Sequence, residues 1–275
     1  MLYIVPTPIG NLKDITYRAV EVLSTSDYIL CEDTRHSSIL LQHYDIKKPL
    51  KSYHQFNETS RLHSVLEDLK MGKNIALISD GGTPGICDPG AILIKACREH
   101  QLSITALPGP CAITTAFCMW GSTIPAFQFL GFFPKKETEG HRFLLQLLHY
   151  DGISLFYESP ARIVQTLELL NQLAPNRQIL IVRELTKKFE EARHGIASEL
   201  LDHFRKTTPK GEFVVLVDEQ SENGFEGLSL HELLETLQSK YGLSLSNAIK
   251  TAAHIRKEPK QLIYKWVHHN ENENL

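Results

Sequence analysis

The stretch SDGGTPGICDPG, from Ser79 to Gly90, decides the fold of this chain. It holds four glycines and two prolines, and it follows the apolar run at 75–78, which is typical of a buried strand. Glycine carries no side chain, so a loop of this composition lets its backbone approach another group closely. Because no lysine or arginine lies between residues 79 and 90, the loop lacks the cation that a nucleotide-phosphate loop uses.

Short apolar runs alternate with amphipathic stretches on both sides of this loop, which predicts parallel β-α-β units. Four successive predicted strands end in unusual loops: PTPIGN, CEDTR, SDGGTPGICDPG and LPGPCA. Ligands of parallel α/β sheets bind beyond the carboxyl ends of the strands. We therefore expect one site where these four loops meet, with Pro110 in the first turn of the helix that follows the fourth strand.

The pattern begins again after Gly121 and predicts a second α/β domain. The stretch KKETEGHR looks polar and mobile, and Ser159 is expected to cap a helix over 161–173. The predicted organisation is an N-terminal α/β domain over 1–120, a second α/β domain over 121–220, a linker over 219–227 and a small helical module over 228–275. The predicted fold class is thus α/β, with two α/β domains forming a cofactor cleft and a small C-terminal helical module.

The composition is that of a globular protein without an obvious polyanion partner. The chain has 275 residues, of which 42% are hydrophobic, and its formal net charge is −3. Its five cysteines are scattered without a C-x-x-C pair, which argues against a disulfide framework and a zinc site. No leader pattern and no apolar run long enough for a membrane span is evident. We expect a cytoplasmic protein with no membrane association and no metal.

The glycine loop fits neither of the common nucleotide fingerprints. It lacks the terminal Gly-Lys-[Ser/Thr] of a Walker loop, and the first strand is not followed by G-x-G-x-x-G. S-adenosylmethionine fits better, because it has no phosphate and its sulfonium is a cation. A lysine would repel the sulfonium, whereas a carboxylate such as Asp80 would not.

Seven motifs in order carry a resemblance: VPTPIGNLKDIT, CEDTR, SDGGTPGICDPG, LPGPCA, FYES, RELTK and GEFVVLV. The set resembles the tetrapyrrole-methylase superfamily and, within it, the branch that methylates the 2′-hydroxyl of a decoding-centre cytidine in 16S ribosomal RNA. The resemblance covers about residues 2–267. One departure is Gly81, where the family pattern S-D-A-G-T-P has alanine.

This resemblance implies that two α/β domains hold S-adenosylmethionine in the cleft between them, in a homodimer that acts on 16S rRNA of the small ribosomal subunit. It also implies that the turn from Thr7 to Asn11 flanks the cofactor or the target nucleotide. Together with Asp80, the residues expected at the cofactor are Gly81, Gly82, Thr83, Pro84, Ile86, Cys111, Ala112, Tyr157, Glu158, Glu184, Leu185, Gly211, Glu212 and Phe213.

A methyl transfer to a hydroxyl needs alignment and a group that accepts the hydroxyl proton. The candidates at strand ends are Glu32, Asp33, Glu158, and Glu184 with Lys187. Glu184 and Lys187 are favoured, since the resemblance puts RELTK beside the cofactor. In the alternative, Glu184 pairs with Arg183 or Arg35 and only holds the loop.

Several other residues are candidates for substrate contact. Arg35 could clamp a phosphate, or it could form an internal salt bridge to Glu32 or Asp33. His54 and Asn57 could meet the nucleotide, although a lone loop histidine is more often plain surface. Phe132 and Phe133 are expected in the core, and neither Cys87 nor Cys111 has a partnered histidine that would make it a nucleophile. The expected substrate residues are Thr7, Asn11, Glu32, Arg35, His54, Lys250, Arg256 and Lys257.

The C-terminal stretch at 240–266 carries a net charge of +5 on an otherwise acidic chain. Such a surface favours phosphate contact through counterion release, or it is a solvated helical face that pads a dimer. Tetrapyrrole enzymes usually lack such a tail, so it favours the ribosomal branch. Two alternatives stay open: a methyltransferase of the same fold with a tetrapyrrole or protein substrate, and a non-catalytic RNA-binding assembly factor. The missing fingerprint excludes a nicotinamide dehydrogenase.

Overall fold

The computed structural model describes residues 1–123, 125–148, 150–207, 209–219, 228–239, 241–256 and 258–273. The chain divides into two compact units. Unit 1 comprises Met1–Gly121 and Val182–Glu191, and unit 2 comprises Ser122–Ile181 and Ala192–Leu275. The domain boundaries predicted from the sequence stay predictions beside this division.

Unit 1 contains a five-stranded sheet in the order β3-β2-β4-β1-β5, and each neighbouring pair in it is parallel. Its strands are β1 Leu2–Ile4, β2 Tyr28–Cys31, β3 Leu50–Ser52, β4 Ile75–Leu77 and β5 Ile104–Ala106. Its helices are α1 Tyr17–Thr25, α2 Thr34–His43, α3 Glu58–Lys70, α4 Ala91–Glu99 and α5 Ala112–Trp120.

This sheet is buried on both faces, which explains why its strands read as continuous apolar runs rather than alternating ones. Every residue of β2 and β4 is buried. One face packs on α3 and α4 through residues such as Leu66 and Leu93, and the other packs on α1 and α2 through Leu23 and Leu41. The sandwich fixes the strand ends and therefore the roots of the loops after them.

Unit 2 contains a second five-stranded sheet in the order β6-β7-β10-β8-β9, and it is mixed. β6 pairs with β7 in parallel, whereas β10 pairs with β7 antiparallel. The strands are β6 Phe127–Phe132, β7 Ile153–Glu158, β8 Gln178–Arg183, β9 Glu191–Ile196 and β10 Phe213–Val217. The helices are α6 Glu137–Leu148, α7 Ile163–Leu173, α8 Ala197–Lys206, α9 Leu230–Ser239, α10 Leu245–Arg256 and α11 Lys260–Glu273.

The three C-terminal helices share one apolar core with the second sheet. Leu234, Ile249 and Ile263 belong to the same buried cluster as Phe156 and Leu167. The buried side chains of the expected helical module therefore belong to the core of unit 2. Of the expected linker, 219–227, only Glu219 lies within the described residues.

Three local expectations are wrong. KKETEGHR leads into helix α6, because Phe143, Leu144 and Leu147 further along give that stretch a buried face. Helix α7 starts two residues later than expected, and Arg162 rather than Ser159 is its N-cap. Pro110 precedes Cys111, the N-cap of α5, and therefore lies outside the first turn.

Candidate active site

Five loops leave the same edge of the first sheet, because all its strands are parallel. The loops follow β1, β2, β3, β4 and β5 and carry Thr7, Glu32, His54, Asp80 and Cys111 in that order. Parallel α/β sheets bind their ligands at this edge. The expected convergence of the predicted loops is present in unit 1, and the loop after β3 joins it.

The glycine loop is tied to the loops on both sides of it. Thr7 and Gly82 exchange two backbone hydrogen bonds, each of 2.9 Å from N to O. The Thr7 hydroxyl donates to the Ser79 carbonyl at 3.1 Å, and the Thr83 hydroxyl donates to the Pro110 carbonyl at 3.0 Å. These bonds join the turns after β1, β4 and β5 into one cradle of backbone.

The two adjacent glycines of this cradle meet different constraints. Gly82 has a φ of +88°, and a Cβ added there would lie 3.4 Å from the Ile9 side chain. Gly81 has no such φ, and an added Cβ would meet the Pro8 carbonyl at 3.5 Å, an ordinary contact. The position that departs from the family pattern therefore has room for the alanine that the pattern expects.

Asp33 and Arg35, which follow β2, form a salt bridge with each other. The Asp33 carboxylate caps α2 by accepting from the Arg35 N–H at 2.8 Å, and it accepts from the Arg35 guanidinium at 2.7 Å. The Arg35 guanidinium holds the pKa of Asp33 well below its usual range. The internal salt bridge weighed for Arg35 is thus present, and Asp33 is a poor proton acceptor.

Glu32 lies between the ends of two neighbouring strands. β2 pairs with β3 on one side and with β4 on the other, which puts His54 and Asp80 on its two flanks. Burial, reinforced by the charge of Asp80, raises the pKa of Glu32, while the charge of His54 lowers it. Asp80 itself is exposed and accepts from the Asp33 N–H at 3.2 Å.

The turn that presents His54 is built by Asn57. The Asn57 side-chain oxygen accepts from the His54 N–H at 2.9 Å, and its amide nitrogen lies 3.2 Å from His54 Nε2. The same amide donates to the Ser52 carbonyl at 3.3 Å. Asn57 therefore has a structural role, and His54 keeps a fixed orientation at the sheet edge.

The segment from Arg183 to Glu191 also belongs to unit 1. Lys187 Nζ lies 3.0 Å from Glu184 Oε1, and Arg183 Nε lies 2.6 Å from Glu191 Oε2. Glu184 therefore pairs with Lys187, whereas Arg183 and Arg35, the partners weighed in the alternative, pair elsewhere. Glu184 and the neighbouring Thr186 both have positive φ, which costs about 1–3 kcal/mol at such residues.

This segment packs directly on the turn after β1. A Cβ added at Gly10 would lie 2.3 Å from Lys187 Cγ and 3.1 Å from the Leu185 carbonyl oxygen. Gly10 is glycine because the Glu184–Lys187 pair rests on its backbone. Asn11 next to it caps a short 3-10 turn, its side chain accepting from the Lys13 N–H at 3.2 Å.

Glu158, a predicted catalytic group, is bound by donors of its own unit. Its side chain is fully buried and accepts from the Ser159 N–H at 2.7 Å, the Arg162 guanidinium at 2.9 Å and the Thr166 hydroxyl at 2.5 Å. Both carboxylate oxygens thus bind donors of unit 2. We assign Glu158 a structural role at the end of β7.

The other unit 2 candidates lie around the ends of β7 and β10. Tyr157 packs its ring on Phe129 and Phe132, and Phe213 is buried opposite Glu158 in the strand pair. Gly211 has a φ of +87° and Glu212 is exposed. The expectation for Phe132 is wrong, since its side chain is 58% exposed, whereas Phe133 is buried as expected.

The remaining predicted residues lie in the glycine loop and on α5 and α10. Ala112 starts α5, while Pro84 and Ile86 line a shallow surface pocket of about 290 Å³ with Ile94 of α4. Lys250 is exposed on α10, and Lys257 is outside the described residues.

Arg256 has a partner within unit 2. It is half-buried and donates to the Leu228 carbonyl at 2.7 Å, and its contact with RNA stays a prediction. Its guanidinium anchors the start of α9 to the end of α10.

Sequence reasoning missed two residues that shape unit 1: Thr186, with its positive φ, and Phe189. Phe189 is 69% exposed on the segment that carries Glu184 and Lys187. The adjacent lysines in KKF were the signal that could have singled it out.

The described residues form neither a membrane-spanning helix nor a cluster of metal ligands. No helix within them is long and apolar enough to cross a membrane. Nor do three or more histidine, cysteine, aspartate or glutamate side chains group there in a way that could hold a metal ion.

Residues 1–201 match the family of tetrapyrrole (corrin/porphyrin) methylases. The chain is 39% identical to ribosomal RNA small subunit methyltransferase I of Bacillus subtilis strain 168, covering 98% of this chain and 94% of that protein. It is equally identical to the protein of the same name from Buchnera aphidicola, covering 97% and 96%. The crystal structure of the methyltransferase CobJ matches with a TM-score of 0.59 at 20% identity, over 79% of this chain and 93% of that one.

Proposed function

Because the chain belongs to the tetrapyrrole (corrin/porphyrin) methylases, we propose that it transfers a methyl group from S-adenosylmethionine to the 2′-hydroxyl of a cytidine in 16S ribosomal RNA. One observation carries the choice of substrate. Relatives named for small-subunit ribosomal RNA match nearly the full length, whereas the general family match ends at residue 201. The basic C-terminal helices are thus part of the likeness to the rRNA enzymes.

The cradle of unit 1 fits S-adenosylmethionine better than a phosphorylated ligand. No lysine or arginine occurs from Ser79 to Gly90, and the exposed carboxylate of Asp80 stands at its start. Gly82 gives the cradle a left-handed backbone, with a φ of +88°, that a residue with a side chain rarely adopts. The residues that would hold the cofactor in this unit are 80–84, Ile86 and the start of α5. When bound, the cofactor supplies an activated methyl group on a sulfonium.

Glu184 is our proposed acceptor of the 2′-hydroxyl proton. Among the carboxylates considered, Asp33 is a weak base, because the Arg35 guanidinium binds both of its oxygens and lowers its pKa, and Glu158 is buried among donors. Glu184 is only partly buried, and Lys187 orients its carboxylate from 3.0 Å. A positioned base of this kind contributes about 10²–10⁴-fold to a rate. Glu32, whose pKa burial raises, is the second candidate.

Residues of unit 2 complete the proposed cofactor set. We assign Tyr157, Gly211 and Glu212 to cofactor contact, with Phe213 contributing its backbone because its side chain is buried. The small ribosomal subunit is the proposed partner, the chain is proposed to work as a homodimer, and ribosome modification implies the cytoplasm.

Transfer of a labelled methyl group tests this function. Purified chain is mixed with labelled S-adenosylmethionine and either small subunits or naked 16S rRNA that lack the modification. We expect label in the rRNA as 2′-O-methylcytidine. Glu184→Gln should lower kcat by about 10²–10⁴-fold, while calorimetry finds the cofactor Kd unchanged.

The matched control is Glu21→Gln, an exposed carboxylate on α1 that should leave kcat unchanged. Cofactor binding without transfer to either RNA substrate would contradict the rRNA assignment. Label in a tetrapyrrole or a protein instead would support the corresponding alternative.

A further inference from the structure

Phe189 presents an aromatic ring to water on the segment that carries Glu184 and Lys187. Its side chain is 69% exposed, although burying a phenylalanine is normally favourable. Among the described residues, the partner of its ring is the Lys188 ammonium, 5.6 Å from the centroid. This separation is within the range of a cation–π contact. The tip of the segment therefore displays an aromatic face together with a cation.

The segment holds this ring in a defined place. Glu190 Oε2 accepts from the Thr186 N–H at 2.6 Å, and the Glu190 N–H donates to the Lys187 carbonyl at 3.1 Å. The Arg183–Glu191 ion pair closes the base of the segment. An ordered platform loses little conformational entropy when a ligand stacks on it.

The acidic side chains of the segment are bound within it, whereas the cationic side chain of Lys188 is exposed to solvent. Each of its three carboxylates binds within the segment: Glu184 to Lys187, Glu190 to the Thr186 N–H, and Glu191 to Arg183. Lys188 is exposed beside the ring. A polyanion with planar, unstacked groups complements such a tip, because it can use the ring and the ammonium at once.

We propose that Phe189 and Lys188 form a stacking platform for an unpaired base of the RNA substrate, with the Lys188 ammonium beside its phosphate. The proposal rests on the proposed function and adds a contact to it. Proteins bind single-stranded nucleic acid by aromatic stacking and cationic contact with the backbone. Since the same segment rests on Gly10 and carries Glu184, a base stacked on Phe189 is held on the element that carries the proposed proton acceptor.

Two other exposed aromatic rings, Phe56 of unit 1 and Phe132 of the second sheet, are less suited to this role. Phe56 packs edge-on against His54 at 5.9 Å, and Phe132 packs on Tyr157 at 5.1 Å. In both cases the ring already has an aromatic neighbour. Phe189 offers its face beside a cation instead.

Direct RNA binding tests the platform. The probe is a fluorescent single-stranded RNA oligonucleotide of decoding-region sequence, and the readout is its Kd by anisotropy. Phe189→Ala and Phe189→Leu should each weaken binding by about 5- to 100-fold, since a stacked base contributes about 1–3 kcal/mol. Phe189→Trp should restore the affinity. Lys188→Gln should lower the salt slope of log Kd by about 0.7.

Met71→Ala is the matched control, because Met71 is equally exposed but ends α3. It should bind the RNA like wild type, and every variant should keep the cofactor Kd and the sedimentation coefficient. The platform is overturned if Phe189→Leu binds RNA like wild type, if wild type binds no RNA, or if Phe189→Ala changes the oligomeric state. The last result would identify the surface as a contact between two copies.

The two proposals fail in different ways. If wild type transfers no methyl group to rRNA, the proposed function fails, while the oligonucleotide Kd still decides the platform. If wild type methylates rRNA and Phe189→Ala does so with unchanged KM and Kd, only the platform fails.

Discussion

Gly81 and Gly82 are neighbours in the backbone cradle of unit 1, yet only Gly82 needs to be glycine. Alanine at Gly81 would replace a flexible residue at a site with room for a methyl group, which stabilises proteins by about 0.4–1 kcal/mol. Alanine at Gly82 would adopt a left-handed backbone at a cost of about 1–2 kcal/mol.

We predict that Gly81→Ala raises the free energy of unfolding and leaves the cofactor Kd unchanged. Gly82→Ala is predicted to lower the free energy of unfolding and to raise the cofactor Kd. Denaturant unfolding and calorimetry measure both quantities. The opposite order of stabilities would show that the backbone described for the cradle is wrong.

Glu158 shows how a conspicuous strand-end carboxylate can be structural. Removing it takes away the carboxylate that pairs with the Arg162 guanidinium and the acceptor of the Thr166 hydroxyl, while Arg162 keeps the Phe133 carbonyl and the Ser159 hydroxyl as acceptors. Breaking a buried ion pair from one side costs about 3–5 kcal/mol. We predict that Glu158→Ala lowers the free energy of unfolding by about this amount, and that the folded fraction keeps its kcat. A fully stable Glu158→Ala protein without activity would return Glu158 to the list of catalytic candidates.

At the scale of elements, the turn after β1 is in direct contact with the segment 183–191, because Gly10 has no side chain that would separate them. A methyl group at Gly10 would overlap Lys187 Cγ and displace the Glu184–Lys187 pair. We predict that Gly10→Ala lowers kcat by at least about tenfold, since small misplacements of reacting groups cost up to about 10²-fold. Single-turnover kinetics measures the effect, with Gly81→Ala as the matched control. Unchanged kinetics in Gly10→Ala would separate the segment from the chemistry.

Helices α10 and α11 carry exposed lysines that we assign to RNA phosphates: Lys250, Lys260 and Lys265. Each lost phosphate contact lowers the salt slope of log Kd by about 0.7–0.9. We predict that replacing all three with glutamine lowers the slope by about 2 and weakens binding at low salt. The control replaces Lys47, Lys70 and Lys206, which are equally exposed. An equal loss in both triple variants would mean that overall charge, rather than this face, binds RNA.

The strands and loops also show which parts of the fold can be predicted from the sequence. The glycine- and proline-rich loops are visible because buried strands precede them, and their convergence follows from parallel pairing alone. Strand β9 was hidden in RELTKKFEEARHG, because an edge strand with several exposed polar residues has no continuous apolar run. The approach of Gly10 to Lys187 joins residues far apart in the chain, so no local pattern predicts it. The hydrogen bonds that join Glu158 to Thr166 and Arg256 to the Leu228 carbonyl likewise depend on the tertiary packing.

On the scale of the whole molecule, charge is unevenly distributed along the chain. The net charge is −3, whereas 240–266 carries +5. That basic stretch contributes to the core of unit 2 through Ile249 and Ile263, so it is anchored rather than a loose tail. An anchored basic face and a cradle without cations separate the two proposed tasks: RNA is held by charge, and the cofactor is held by backbone.

The most direct test of this account is the nucleoside composition of 16S rRNA from cells that lack the gene, compared with the same cells carrying it again. Mass spectrometry of the digested rRNA measures 2′-O-methylcytidine. We predict that this nucleoside is lost without the gene, restored by wild type, and not restored by Glu184→Gln. Unchanged 2′-O-methylcytidine in cells without the gene would contradict the account.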